Sequence, residues 1–162
     1  GKEAAIECRK QAEQAGTKTA FSLSDPGMVE FFHDGLQEMI GERADLLFCN
    51  REEAFGWTGT NTLNAAIEGM KKSASTFAIT LGAEGAVIYD GESTHRLAPT
   101  AVTAVDTNGA GDMFAGAFLY GITNGMDYLQ AGKLASLASA TVVTQFGPRL
   151  PVDQHRSLLA QI

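Results

Sequence analysis

The chain has 162 residues and 44% hydrophobic content, enough for one globular domain with a buried core and no reason to expect disorder. Twelve basic and nineteen acidic residues give a net charge of -7, which disfavours binding to nucleic acid or to an anionic membrane. No apolar stretch approaches the ~20 residues that span a bilayer, and the two cysteines lie far apart, so we expect a soluble cytoplasmic protein without a membrane partner.

Helical and strand patterns alternate along the first half of the chain. Residues 2–15 have the pattern of a helix closed by Gly16, and the strand KTAFSLS follows and runs into the turn SDPG. Apolar residues at helical spacing predict a helix from Val29 to Ile40, followed by the strand DLLFC. The next predicted elements are a helix from NREEAFGW, a helix TLNAAIEGMKKS and the strand TFAITL, which ends at GAEG.

After GAEG the pattern changes to short strand-like pieces. The segments AVIYDG, STHRLAP and AVTAVD predict antiparallel strands at a sheet edge. Two helices, at roughly 111–123 and 127–143, precede the loop QFGPRLP and a last helix near Asp153. The alternation predicts an α/β layered sheet, mostly parallel, with helices on both faces. Ligands of such sheets bind at the carboxyl ends of strands, so the candidate residues are those that follow each strand.

The stretch VDTNGAGDMFAGAF places small residues before an acid and an apolar helix. Without bulky side chains at Gly109, Ala110 and Gly111, backbone N–H groups can approach an anion, and the helix N-terminus adds partial positive charge. Asp112 is then placed to accept a proton from a substrate hydroxyl while the amides stabilise a transferred phosphoryl group. The structural alternative is that Asp112 is only an N-cap, because Asp is among the preferred capping residues.

Two nucleotide-binding motifs are disfavoured by spacing. The dinucleotide fingerprint G-x-G-x-x-G, begun at Gly109, places Phe114 at its third glycine, where a large ring prevents close packing of helix and strand. An NAD-linked α/β oxidoreductase is therefore the weaker enzyme alternative. No Walker A sequence occurs in the chain, so any nucleotide site uses another arrangement.

With its flanks, DTNGAGDMFAGAF closely resembles the signature D-T-x-G-A-G-D-x-F of the ribokinase-like (PfkB) family of sugar and nucleoside kinases. NREE and TLGAEG are similar to that family's N-x-x-E and T-L-G-x-x-G motifs, in the same order. SLSDPGMVEFFHDGL and Asn108 are most similar to the adenosine kinase branch. The resemblance implies a ribokinase-like, Rossmann-type sheet. It also implies ATP-dependent transfer of the γ-phosphate to a hydroxymethyl group of a sugar or nucleoside, with adenosine-like acceptors slightly favoured.

The resemblance also implies roles for individual residues. Asp112 would be the general base, and the anion hole would be formed by Gly109, Ala110 and Gly111. The nucleotide side, including the groups that organise Mg²⁺ and the phosphates, would comprise Asn50, Glu53, Thr80, Gly82, Gly85 and Asn108. Glu53 would act on Mg²⁺ through water, and Asp106 lies where some relatives bind a monovalent cation, a requirement that the sequence leaves open.

Each of these assignments has a structural alternative. Asn50 with Glu53 three residues later is also a capping-box pattern. Gly82 and Gly85 are also typical of a tight turn between two strands. The run LASLASATVV, which borders the adenine pocket in relatives, has small residues at helical spacing and favours close helix packing.

All of the matched motifs belong to the C-terminal half of the family. The resemblance therefore predicts that residues 1–162 are the C-terminal nucleotide-binding portion of a kinase domain, without the N-terminal half and lid. We expect such a portion to be poorly active or inactive alone, and to associate with a second copy or with the missing N-terminal half. A non-catalytic nucleotide-binding or assembly module of the same family is the alternative function.

Overall fold

The protein is described by a computed structural model that covers residues 1–162. Helices and strands alternate as expected, and the α/β fold class is confirmed. In chain order the elements are α1 (Lys2–Gln14), β1 (Ala20–Ser22), α2 (Pro26–Phe31), α3 (His33–Ile40), β2 (Ala44–Asn50), α4 (Arg51–Thr58), α5 (Leu63–Ser73), β3 (Ala74–Thr80), a 3-10 turn (Gly82–Glu84), β4 (Ala86–Tyr89), β5 (Thr94–Leu97), α6 (Ala110–Thr123), α7 (Tyr128–Val142) and α8 (Val152–Leu159).

The strands have the sheet order β1-β2-β3-β4-β5, and the sheet is mostly parallel. Residue contacts divide the chain into two compact units. The first unit comprises Gly1–Ile79 with Asp90–Glu92, and the second comprises Thr80–Tyr89 with Ser93–Ile162. None of the helices combines the length and the apolar character that crossing a bilayer requires.

In the first unit, buried strands form the centre of the core. β1 pairs in parallel with β2, in a register that places Phe21 beside Leu47. β2 and β3 share one burial pattern, with only the second and last residues partly exposed. Continuous apolar runs are typical of parallel strands that are covered on both faces, which explains why DLLFC and TFAITL were recognisable as strands. Phe77 and Ile79 of β3 are fully buried.

The helix expected from Val29 to Ile40 is two helices, α2 and α3, so that prediction is wrong. The break lies at Phe32, whose φ of -131° is outside the helical range. The Phe32 ring lies where a Cβ on residue 35 would be, and it fits there because residue 35 is glycine. α2 starts one turn earlier than expected because Asp25 accepts a hydrogen bond of 3.0 Å from the Met28 amide and Pro26 opens the helix.

In the second unit, two of the three expected edge strands are present. β4 and β5 pair antiparallel, with Ala86 opposite Leu97. The segment AVTAVD, expected to be the third strand, is not a strand. The backbone amides of Val105 and Asp106 both donate to the carbonyl oxygen of Val143, at 2.7 and 3.2 Å, so this segment joins the end of α7 rather than a sheet ladder. The core of this unit includes Phe118 and Val142.

Gly85 provides a test of the turn between β3 and β4. Its φ is +95°, and a Cβ at this position would overlap the carbonyl oxygen of Leu97. Gly82 also has positive φ, +58°, but has open space around its Cβ position. We expect Gly85→Ala to lower the free energy of unfolding by roughly 2 kcal/mol more than Gly82→Ala, because only Gly85→Ala adds a backbone collision to the conformational strain. Equal losses in urea denaturation would contradict this account.

Candidate active site

The glycine-rich turn, which we define as residues 109–111, begins α6. Gly109 is the N-cap of that helix, with a left-handed backbone (φ 76°) and no capping side chain. A Cβ on Gly109 would overlap Pro148, so the turn passes directly against the 144–149 loop. The first amides of a helix have no partner inside it, so a helix N-terminus can bind an anion. At this end of α6 the Ala110 amide donates to the Thr107 carbonyl oxygen at 3.3 Å, so Gly111 is the better candidate donor to an anion.

Asp112 lies two residues into α6, in its first turn, and is exposed. The N-cap is Gly109, and no side-chain cap is formed at this helix. The alternative interpretation of Asp112 as an N-cap is therefore wrong. Its carboxylate is not needed to begin the helix and is free of that structural task.

A cavity of about 470 Å³ lies beside the glycine-rich turn in the second unit. Its volume is within the range that small-molecule sites in proteins occupy. It brings together five of the residues proposed from sequence: Thr80, Gly82, Gly85, Ala110 and Gly111. We call it the nucleotide-side cavity, after the role that the family resemblance predicts for these residues. Asn108 lines neither this cavity nor the second one described below.

One face of α7 completes the nucleotide-side cavity. The lining residues from this helix and its end are Ser136, Ser139, Ala140 and Val143. The Ser139 hydroxyl donates to the carbonyl oxygen of Ala110 at 3.0 Å and so ties α7 to the glycine-rich turn. Close packing, which was favoured for the run LASLASATVV, describes only the other face, where Leu134, Ala138 and Val142 are buried. The helical spacing of the small residues was the available signal for a cavity wall.

A second cavity, of about 510 Å³, lies against a different face of α6. Its wall is mainly apolar, and four of its residues carry ionisable side chains: Asp112, Tyr120, Arg149 and His155. Asp112 and two residues of the glycine-rich turn, Ala110 and Gly111, therefore line different cavities. The two cavities have no lining residue in common.

Asp106 links the approach to α6 with the loop after α7. One carboxylate oxygen accepts the Asn108 amide at 2.9 Å, and the other accepts the Gly147 amide at 3.0 Å. The Gly147 amide, and then the Asn108 amide, hold the pKa of Asp106 below its ordinary value of 3.8. Both oxygens thus serve as acceptors within the protein. A monovalent cation near Asp106 stays a prediction.

Asn50 and Glu53, in the first unit, form a capping box at the start of α4, as the structural alternative proposed. The Glu53 amide donates to Asn50 Oδ1 at 2.9 Å, and the Asn50 amide donates to Glu53 Oε2 at 3.0 Å. Asn50 Nδ2 also donates to Glu53 Oε1 at 2.6 Å. With both carboxylate oxygens engaged and the residue 4% exposed, Glu53 does not fit a direct metal ligand. No group of three His, Cys, Asp or Glu side chains is arranged to hold a metal ion.

The sequence of the chain matches a known protein family. The family model described as pfkB family carbohydrate kinase matches residues 2–155. The chain belongs to this family. The resemblance noted in DTNGAGDMFAGAF, NREE and TLGAEG is therefore confirmed, and the PfkB assignment favours the kinase interpretation over an NAD-linked oxidoreductase.

Individual relatives and structures extend the PfkB assignment. An uncharacterized sugar kinase of Archaeoglobus fulgidus is 32% identical over 127 residues, which cover 77% of this chain and 50% of that protein. The crystal structure of adenosine kinase from Sinorhizobium meliloti matches with a TM-score of 0.91 and 32% identity, covering 99% of this chain and 50% of that chain. Ribokinase of Arabidopsis thaliana, solved with ribose and ATP, shares the fold at 23% identity (TM-score 0.78; 98% and 53% coverage).

The chain spans about half the length of these PfkB relatives. The other half of each relative has no counterpart in these 162 residues. Membership of the family therefore does not by itself assign this chain the activity, substrates or partners of a whole PfkB protein.

The capping box generates a prediction about pH. Burial raises the pKa of the Glu53 carboxyl above its ordinary value of 4.5, against the lowering effect of the Asn50 amide, and nearby Asp25 and Glu52 raise it further. The folded protein therefore retains this proton to higher pH than the unfolded chain does. The free energy of unfolding that Glu53 contributes is fully present below pH 4.5 and is lost as pH rises through the folded-state pKa.

Glu53→Gln removes this titration and keeps a side chain that can close a capping box. We expect the unfolding free energy of the wild type minus that of the variant to decrease as pH is raised from about 4 to about 7. Urea denaturation at several pH values measures the difference. Glu52→Gln, an exposed acid of the same helical turn, is the charge-matched control. A difference that grows with pH would refute the assignment.

Proposed function

We propose that this chain supplies the nucleotide-binding and base-carrying part of an ATP-dependent kinase. The kinase transfers the γ-phosphate to a hydroxymethyl group of a sugar or nucleoside. Among acceptors, adenosine-like compounds are slightly favoured, which the 32% identity to an adenosine kinase structure supports. Residues 1–162 correspond in this proposal to the C-terminal portion of the kinase domain.

The observation that carries the proposal is the shared cavity. Residues of the turn after β3, Thr80, Gly82 and Gly85, line the same cavity as Ala110 and Gly111 at the start of α6. A nucleotide bound there would lie between two glycine-containing turns, with its phosphates near a helix N-terminus. Either turn alone is also ordinary chain geometry, and their meeting at one cavity is what supports a binding site here.

The chemistry of the proposal is a direct in-line transfer. The acceptor hydroxyl oxygen forms a bond to the γ-phosphorus as the bond from that phosphorus to the β,γ-bridging oxygen breaks, and ADP leaves. Asp112 accepts the hydroxyl proton, and the amides of residues 109–111 stabilise negative charge on the transferred group. Since Asp112 lines the second cavity, the acceptor approaches α6 from a different face than the nucleotide.

Mg²⁺ is part of the proposed reaction, where it would neutralise phosphate charge. The carboxylate of Glu53 is occupied by Asn50 within the capping box. A role for Glu53 toward the ion is consequently proposed only through water. Association with a second copy, or with a polypeptide equivalent to the remaining half of the relatives, likewise belongs to the proposal.

Asp112→Asn tests the proposed base. Because Asp112 is exposed and does not cap α6, we expect an unchanged melting temperature. Phosphoryl transfer should fall roughly 100- to 10,000-fold, since the amide cannot accept the hydroxyl proton. The measurement is transfer of labelled γ-phosphate to a panel of nucleosides and sugars, using the protein with the chain equivalent to the rest of the kinase. Asp153→Asn, an exposed acid in the first turn of α8, is the matched control and should leave transfer intact.

Ala140→Leu tests the nucleotide side. Ala140 lines the nucleotide-side cavity, so the larger side chain would occupy space that the nucleotide needs. We expect the affinity for ATP, measured by calorimetry, to fall by roughly tenfold. Lys133→Leu places the same leucine side chain at an exposed position of the same helix, away from the cavity, and should not weaken binding. Unchanged affinity in Ala140→Leu would remove the cavity from the proposal.

The alternative within the family is a module that binds nucleotide without catalysis. It predicts that ATP binds and depends on Ala140, but that no acceptor in the panel is phosphorylated. Transfer that survives Asp112→Asn would instead leave the nucleotide site in place and exclude Asp112 as the base.

A further inference from the structure

The Asp106 side chain connects the segment before the glycine-rich turn with the loop that follows α7. Asp106 lies three residues before the turn, and Gly147 lies in the loop that follows α7. The Asp106 carboxylate accepts hydrogen bonds from the amides of Asn108 and Gly147, 41 residues further along the chain. Each oxygen serves one amide, so a single side chain connects the two segments.

The same loop reaches the turn itself. Pro148, next to Gly147, occupies the space where a Cβ of Gly109 would lie, so the loop and the first residue of the turn are in close contact. The turn is also bonded to the segment that precedes it, because the Ala110 amide donates to the Thr107 carbonyl oxygen at 3.3 Å. A displacement of the loop, or of residues 106–108, would therefore be transmitted to the amides of the turn.

We propose that Asp106 is a positioning residue that fixes the glycine-rich turn for the γ-phosphate by holding the loop at Gly147 against it. This inference rests on the proposed function, and it gives Asp106 a task that does not involve a bound cation. The carboxylate acts through the amides it holds and does not contact the transferred group.

The chemistry of the side chain explains why an aspartate is suited to the task. Hydrogen bonds from amides to a charged carboxylate are stronger than those to a neutral acceptor. An asparagine has one oxygen acceptor and one NH₂ donor, so its oxygen can keep one of the two bonds. Its NH₂ group would face the second backbone N–H, and two donors cannot form a hydrogen bond. Alanine removes both bonds.

The test compares ATP with ADP, which lacks the γ-phosphate. In the presence of Mg²⁺, we expect Asp106→Ala to weaken ATP binding by roughly tenfold or more and ADP binding by less than about twofold. Asp106→Asn should fall between Asp106→Ala and the wild type, because it keeps one bond. Calorimetry measures the dissociation constants, and thermal melting confirms that each variant is folded; if Asp106→Ala fails to fold, Asp106→Asn carries the comparison.

Asp90→Ala is the matched control. Asp90 also accepts a backbone amide two residues ahead, from Glu92 at 2.8 Å, but lines neither cavity. It should leave the ratio of the ATP and ADP dissociation constants unchanged. If Asp106→Ala weakens ATP and ADP equally, or weakens neither, the positioning role is overturned and Asp106 has only a structural role.

A wild-type protein that binds neither nucleotide would refute the proposed function, and the role of Asp106 is then decided without ligand. Amide hydrogen exchange at residues 109–111 reports directly on how firmly the turn is held. Faster exchange at these residues in Asp106→Ala than in the wild type and Asp90→Ala supports the positioning of the turn. Unchanged exchange there overturns it.

Discussion

The close approach of Gly109 to Pro148 is the constraint on which the rest of the site depends. Only a residue without a Cβ can adopt a left-handed backbone at this point and still allow the loop after α7 to reach it. With glycine as its N-cap, α6 begins without a capping side chain. It follows that Asp112, in the first helical turn, remains exposed at the wall of a cavity.

Much of the fold could be predicted because its signals are local. The buried strands β2 and β3 are continuous apolar runs, and α7 begins at Asp127 with a capping box to Gln130. The failures came from contacts that local patterns do not contain. The ring of Phe32 folds over Gly35 and divides one periodic segment into two helices. The segment AVTAVD has strand-like residues, but its amides find the Val143 carbonyl of a distant helix.

The candidate site shows the same division. Thr80, Gly82, Gly85, Ala110 and Gly111 were identified from motifs and meet at one cavity. For the wall from α7 the sequence analysis favoured packing over a pocket role, because Ser136, Ser139 and Ala140 look like packing residues until the position of α6 is known. For Asn50 and Glu53 the sequence could not choose between a helix cap and a phosphate-side role. The structure supplies the cap, since a local motif satisfies its own hydrogen bonds before any ligand is present.

Helices α6 and α7 each contribute residues to both cavities, but no single residue lines both. This separation affects which substitutions can change one cavity without changing the other. Successive residues of one helix line different cavities, Gly111 one and Asp112 the other. A mutation that reshapes the compartment beside Tyr120 and Leu134 leaves every wall residue of its neighbour in place. Substitutions that change the lining of one cavity can thus accumulate while the lining residues of the other cavity stay the same.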